Sequence, residues 1–481
     1  MTYMKNHLTD KIPLDIIYAI FVVAFSSLFA IVNYFFGFNL PLYVITMLVG
    51  AGVALAYPRA GLYAMIFLTF VFERFYTLVP VAMGRSEYKL YPIDVLFCGV
   101  IAGMIFQIAT GNLKIVWKKI DIVAGLFIFL SMAYFVGNLL FSSGNISLAF
   151  SSAKNYAFYS LLYFVVFILI DSRQRLVELG SAIFAGAIAI IWFVVYGIAV
   201  RHGLWSDFTP LSTDGIRTLA FTHGFYLSMT LILALIYLAH KKDTFSRWLL
   251  VLMPIWTIGI IGSMMRHLWI SLLVSVIGVI VLFGSTQKEK LKRYAYSYGV
   301  ILIILAIIVT YVVLLFPRSS FYENLSSGAN MLSKRVTSIT NTNGDESIFW
   351  RGAVWQSAIK KYAESPVLGI GFGQSVSVEI GSYRDFVEVR NIHNSFLVLL
   401  VQMGIFGLSM ILTILVFLSW NVFKYSFKDE TFQIAAYASL GILVFQFVAF
   451  MFQPYLEANL LGIFFWINLA VLRRLYGEKI A

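Results

Sequence analysis

Residues 390–420 read R-N-I-H-N-S-F-L-V-L-L-V-Q-M-G-I-F-G-L-S-M-I-L-T-I-L-V-F-L-S-W. The run after Ser395 is apolar and continues to about Trp420, long enough to cross a bilayer as a helix. Asn394 or Ser395 can cap that helix, because either side chain can accept a hydrogen bond from a free first-turn N–H. His393 then stands at the water boundary, just ahead of the positive end of the helix dipole. Such a place favours a neutral imidazole and a nearby anion. The stretch closes the one long polar segment of a chain that is otherwise nearly all apolar, so it reads as a reactive rim on a membrane protein.

Composition sets the frame around that rim. The 481 residues are 60% hydrophobic and 12% charged, with a mean hydropathy of +0.86. A soluble chain is about half apolar and a quarter charged. The chain is therefore read as an all-α polytopic membrane protein. A net charge of +12 does not imply nucleic acid, because Lys and Arg gather on the cytoplasmic loops of membrane proteins. The lone Cys98 rules out an intrachain disulfide. The first apolar run is too long for a signal-peptide core and is expected to stay as the first span.

Fourteen candidate spans follow from apolar runs, at about 14–36, 40–56, 60–80, 93–110, 121–141, 155–170, 176–200, 219–240, 248–264, 268–284, 297–316, 394–419, 431–452 and 459–472. Merging the weaker ones leaves twelve, so about 12–14 transmembrane helices are expected. One set of alternate loops carries Lys114, Lys118, Lys119, Arg173, Arg175, Lys241, Lys242, Arg247, Lys288, Lys290, Lys292 and Arg293. The same set carries Lys424, Lys428, Arg473, Arg474 and Lys479. By the positive-inside rule both termini are cytoplasmic and the polar segment 317–393 lies outside. Four segments result: N-terminal spans (1–210), spans flanked by two arginines (211–316), the long outer loop (317–393) and the C-terminal spans (394–481).

The outer loops hold Arg217, Arg266, Arg351, Arg390 and His393, positive charge on the side where the rule disfavours it. A function that handles anions there would supply the reason. Arg266 lies in G-S-M-M-R-H-L-W, between two spans with hardly any loop. Ionisable groups at membrane depth are costly and tend to be functional. Two guanidiniums grip a diphosphate through paired hydrogen bonds better than lysines do. The plainer reading of Arg217 and Arg266 is a side chain lifting its charge to the headgroups. His223, His267 and the Glu73–Arg74 pair read as structural.

In the loop, apolar residues at helical spacing in W-R-G-A-V-W-Q-S-A-I-K-K-Y, from Trp350, predict an amphipathic helix on the membrane surface. Glu364-Ser365-Pro366 ends it. Gly369, Gly371 and Gly373 follow as G-x-G-x-G. Without a flanking βαβ unit this is not a nucleotide fingerprint but a turn or a close backbone approach. No compact His or Cys metal motif and no Gly-x-Ser-x-Gly elbow is present, so metal chemistry and a serine nucleophile are disfavoured.

These pieces resemble the O-antigen ligase superfamily of bacterial membrane glycosyltransferases, which includes O-antigen ligases, O-antigen and exopolysaccharide polymerases and protein O-oligosaccharyltransferases. The matching stretches are R-T-L-A-F-T-H-G from Arg217, S-M-M-R-H-L-W around Arg266, W-R-G-A-V-W-Q-S-A with S-P-V-L-G-I-G-F-G, and H-N-S-F-L-V-L-L-V-Q-M-G-I-F-G from His393. The resemblance covers about residues 210–420 and departs from the family at Thr222-His223-Gly224, where a polar pair such as Asn-Pro is common.

The resemblance implies a GT-C-type architecture in the bacterial inner membrane, with no cofactor, metal or nucleic-acid partner. It implies a glycan donor on undecaprenyl diphosphate and a glycolipid or lipid-linked glycan as acceptor, joined on the outer leaflet. Arg217 and Arg266 would hold the diphosphate and His393 would act on the acceptor hydroxyl. Arg351, Arg390 and Asn394 are expected to contact diphosphate or glycan. Two rivals differ from this. A flippase would show repeats or a charge ladder through the membrane, and neither is evident. A peptidoglycan-polymerase relative would rely on an outer-loop acid, for which Asp345 and Asp385 are the candidates.

Overall fold

Backbone polar groups in hydrocarbon must be satisfied within the segment, so long apolar runs become helices. A computed structural model describes residues 13–37, 39–72, 81–83, 86–88, 91–141, 144–200, 219–315, 330, 332–333, 337, 346–380, 383–424, 427–457 and 460–476. Each of the apolar runs foreseen above is helical over most of its described residues. The helices are α1 (Leu14–Phe36), α2 (Leu40–Ala56), α3 (Pro58–Phe72), α4 (Pro92–Ala109), α5 (Lys119–Phe141), α6 (Ile146–Ala153), α7 (Leu162–Leu169) and α8 (Arg173–Val200). They continue as α9 (Phe221–His240), α10 (Thr244–Gly262), α11 (Arg266–Leu282), α12 (Ser285–Leu315), α13 (Glu346–Ala363), α14 (Ser395–Lys424), α15 (Glu430–Phe450) and α16 (Gly462–Leu475). Ten helices among the described residues are long and apolar enough to span a membrane, and Leu40–Ala56, Pro58–Phe72 and Arg266–Leu282 are shorter apolar ones. The chain is a multi-pass, all-α membrane protein. Among the described residues the strands are the short pair β1 (Val81–Met83) and β2 (Ser86–Tyr88), and the hairpin β3 (Ser375–Ile380) with β4 (Tyr383–Glu388).

Two compact units divide the chain. The first takes Met1–Val81, Lys89–Val116 and Ile168–Gly186. Small residues let its helices meet backbone to backbone. A Cβ added at Gly99 would lie 2.6 Å from the Ala51 carbonyl oxygen, and one at Gly103 would overlap that of Leu55. This G-x-x-x-G spacing is a known way for membrane helices to approach closely.

The second unit takes Ala82–Tyr88, Trp117–Phe167 and Ala187–Ala481 and holds every foreseen site residue. α9 and α16 are buried on nearly every face, as helices surrounded by protein are. Asp121 at the start of α5 meets Arg473 at the end of α16 through Nε–Oδ1 (2.5 Å) and Nη2–Oδ2 (2.6 Å). Tyr163 donates to the same carboxylate at 2.8 Å. Arg473 entered the sequence reading only as a loop charge; here it is 4% exposed and Asp121 is 1% exposed. Removing one partner strands the other charge, so Asp121→Ala is expected to lower stability by about 3–5 kcal/mol. Thermal melting of the purified protein in detergent would read this as a large drop in Tm.

The loop ahead of α14 is built rather than trailing. α13 forms where its amphipathic spacing predicts and stops at Ala363, just before Glu364-Ser365-Pro366. Its apolar side, with Val354 and Ala358, packs on Val376 and Val378 of β3, on Val389 and Ile392, and on Val398 and Val401 of α14. That face is therefore spent on protein, which corrects the expectation of a helix laid on the membrane surface. Most of the foreseen loop before Glu346 lies outside the described residues, as do Glu73, Arg74 and Asp345.

Helix α14 is interrupted at Gly404, whose φ of 65° and ψ of −170° belong to a region open essentially to glycine alone. A continuous helix would bond Ile405 N–H to Val401 C=O and Phe406 N–H to Gln402 C=O. Instead the glycine loop enters the gap. Ile405 N–H donates to Pro366 O at 2.9 Å and Phe406 N–H to Val367 O at 3.2 Å. Val401 O and Gln402 O accept from Ile370 N–H (2.9 Å) and Gly371 N–H (3.0 Å). Both missing helical bonds are replaced on both sides, as backbone at membrane depth requires. The triplet Gly369, Gly371 and Gly373, with φ of 73°, 83° and 77°, is the inserted turn. It is a close backbone approach and not a nucleotide cradle.

Candidate active site at the start of helix α14

Asn394 caps α14 as the sequence predicts. Its Oδ1 accepts from Phe396 N–H and Leu397 N–H, both at 3.0 Å. The chain turns sharply before it, with His393 at φ 59°. That region is uncommon outside glycine, though His, Asn and Asp enter it more readily, and such outliers gather at functional sites. Trp355 of α13 steadies the turn by donating from Nε1 to Ile392 O at 2.9 Å.

His393 Nδ1 lies 2.8 Å from Gln453 Oε1. With the Gln453 amide presenting its oxygen, which only accepts, Nδ1 carries the proton and Nε2 keeps its lone pair. Burial lowers the imidazole below its ordinary value of 6.5, and the charge of Arg351 lowers it further, against the opposing hydrogen bond to Gln453. His393 is therefore a neutral imidazole near pH 7.

Gln453 belongs to the turn between α15 and α16, and that turn collects the rest of the rim. Ser395 Oγ donates to Gln453 O at 2.8 Å, and Leu456 N–H donates to Ser395 Oγ at 3.2 Å. Tyr455 OH lies 2.6 Å from His267 Nε2. The Tyr455 ring also stacks on Phe221 at 6.1 Å with 8° between planes. The first residues of α9, α11 and α14 thus meet around one turn, and the positive ends of three helix dipoles give that place a positive potential.

Arg266 is the first residue of α11, after a turn in which Met264 takes φ 54°. It precedes His267 and so stands beside the Tyr455 anchor. Arg351 is close enough for its charge to act on His393. Arg390 is engaged by Glu388, Nε to Oε2 at 2.6 Å, and Asn394 spends its oxygen on the helix cap. Arg217 lies outside the described residues, four positions before Phe221. His223 is buried and stacks on Phe193 at 5.2 Å, in keeping with a structural part. Asp385 lies on β4, where its Oδ1 accepts from Phe386 N–H at 2.8 Å.

The sequence places 453–459 on the outer side but assigns Gln453, Tyr455 and Glu457 no part. The signal was present: Q-P-Y-L-E follows an apolar run directly, and a carboxyl so close to a span calls for a role.

No curated protein matches the chain. Residues 248–412 match a family model described as O-antigen ligase, a segment that includes Arg266, α13, the glycine loop, His393 and the broken helix. Over that segment the chain is similar to the O-antigen ligase superfamily, whose members are membrane glycosyltransferases of ligase or polymerase type.

Proposed function

We propose that the protein moves a glycan from undecaprenyl diphosphate to an acceptor hydroxyl at the outer face of the inner membrane, as an O-antigen ligase acting on lipid A–core. One observation carries this reading: a single turn, 453–457, holds a neutral histidine through Gln453 and the Arg266–His267 helix start through Tyr455. A neutral imidazole and the helix start that carries Arg266 thereby share one rim, where three helix N-termini favour an anion.

The chemistry suits those parts. Lipid diphosphate is already a good leaving group. The acceptor oxygen attacks the anomeric carbon as its proton passes to His393 Nε2, and the bond to the diphosphate oxygen breaks with its electron pair. Direct displacement inverts the anomeric carbon. Arg266, with Arg217 ahead of α9, stabilises the charge growing on the diphosphate. Arg351 adds positive potential and keeps His393 neutral. Arg390 and Asn394 shape the rim and reach the glycan only through groups not already engaged.

Purified protein in vesicles, given undecaprenyl-diphosphate glycan with EDTA present, tests this. Glycan on lipid A–core supports the ligase reading. A ladder of longer lipid-linked chains makes the protein a polymerase. Glycan lipid crossing the vesicle with no transfer replaces both readings with a transporter. In that assay Arg266→Ala is expected to lower the transfer rate by about 10²–10³. Unchanged turnover would reduce Arg266 to a headgroup anchor.

A further inference from the structure

Three irregular segments converge on one carboxyl. Glu457 ends the turn that holds His393 and is 4% exposed. Ser152 of α6 donates from Oγ to its Oε1. The π-helical segment Lys154–Phe158 brings Tyr156 OH to Oε2 at 3.3 Å and Asn155 Nδ2 to the Glu457 carbonyl at 2.9 Å. Gln402, two residues before the break in α14, places Nε2 at 3.5 Å from Oε1. Local π geometry and broken helices are features of functional places rather than of plain packing.

The charged groups around it do not form an ion pair with it. Among the described residues no Lys, Arg or His lies within ion-pair distance of Glu457. Arg390 is engaged by Glu388 at 2.6 Å, and Lys154 lies over the Tyr159 ring at 5.8 Å. A buried carboxylate without a cation is costly. Gln402 shows the complementary fault. It is 1% exposed and its Oε1 meets no donor, while its Nε2 makes only contacts of 3.4 Å and 3.5 Å. An oxygen buried where no donor reaches it is left unsatisfied, and the two ends of the amide are nearly isosteric, so the amide can be turned.

We infer that Glu457 is held as a neutral carboxylic acid whose O–H donates to the side-chain oxygen of Gln402, the amide being turned to receive it. One proton then removes the unpaired charge and gives the Gln402 oxygen a donor. The bond fastens the 453–457 turn to the break in α14, which makes Glu457 a positioning residue for His393. Resting on the reading of an anionic donor, neutrality has a second use: a carboxylate beside the rim would repel the diphosphate. Burial pushes the Glu457 carboxyl above the usual range, against hydrogen bonds from Ser152, Gln402 and Tyr156 and the charge of Arg390.

The infrared difference between wild type and Glu457→Gln at pH 7 reads the proton directly and needs no transfer activity, so it stands apart from the proposed function. The expected result is a protonated-carboxyl C=O band, shifted in D2O and absent from the variant. Loss of carboxylate bands instead would overturn the proposal. Should Glu457→Gln fail to fold, Gln402→Met is expected to move the same band to higher frequency by removing its acceptor; an unmoved band would also overturn it. A raised carboxyl gives stability that is complete at low pH and is lost as pH rises through its folded-state value. Wild-type Tm should therefore fall as pH rises from the ordinary carboxyl range to the folded-state value, and Glu457→Gln should hold its Tm and its transfer over that interval. A Tm raised by sodium in wild type alone would assign the cluster to a metal cation and exclude the proton.

Discussion

Replacing His393 by Asn or Ala is expected to lower glycan transfer by about 10²–10⁴, the range for loss of a positioned base. Asn is the more telling change. It accepts the left-handed backbone that His393 adopts at φ 59°, so the turn survives while the base is lost. Ala adds a small strain there without a new contact. Neither change touches the cap on α14, which belongs to Asn394. The variant should therefore melt near wild type and still retain donor, with the loss falling on kcat rather than KM. A comparable loss of folded protein would instead assign His393 to structure through its bond to Gln453.

Gly404→Ala is expected to abolish most folded protein. An added Cβ would overlap the Val367 carbonyl oxygen and lie 2.7 Å from Gly369 N, both backbone atoms that cannot swing away. The φ of 65° with ψ of −170° adds strain of about 1–3 kcal/mol. Relieving the overlap means expelling the glycine loop, which gives up four backbone hydrogen bonds at the gap. Each is worth about 1 kcal/mol net, and more where the freed groups find no water. Gly278→Ala in α11 is the matched control. It meets nothing within 4 Å and sits in an ordinary helix, where Ala is favoured by about 1 kcal/mol. Detergent-extracted yield and gel-filtration profile of the two variants compare these outcomes. Normal folding of Gly404→Ala would show that the loop does not occupy the break.

What the sequence reveals here depends on how local the cause is. The spans are legible because bilayer burial demands unbroken apolar runs. The Asn394 cap is legible because its partners lie two and three residues away. The glycine triplet is legible as a close approach, but not what it approaches: Gly369 and Gly404 are far apart in the chain, and their fit appears only in space. β3 carried a signal in the alternation Val376, Val378, Ile380, too short to stand against a helical background. Arg473 looked like any loop cation because its partner, Asp121, is 352 residues away. The part played by the 453–457 turn is the least legible feature. Gln and Tyr beside a span ordinarily mark the interface, and nothing local tells that Gln453 meets His393.

The acid side of the pH profile of kcat/KM is the measurement to make on the role of His393. Burial and Arg351 hold its pKa below 6.5, so the base form should be complete near pH 7. Transfer by wild type should stay level from pH 7 downward and then fall with uptake of one proton at a pKa below 6.5. The residual transfer of His393→Asn should lack that step. The same step persisting in His393→Asn, or lying above pH 7 in wild type, would contradict a neutral His393 as the base that takes the acceptor proton.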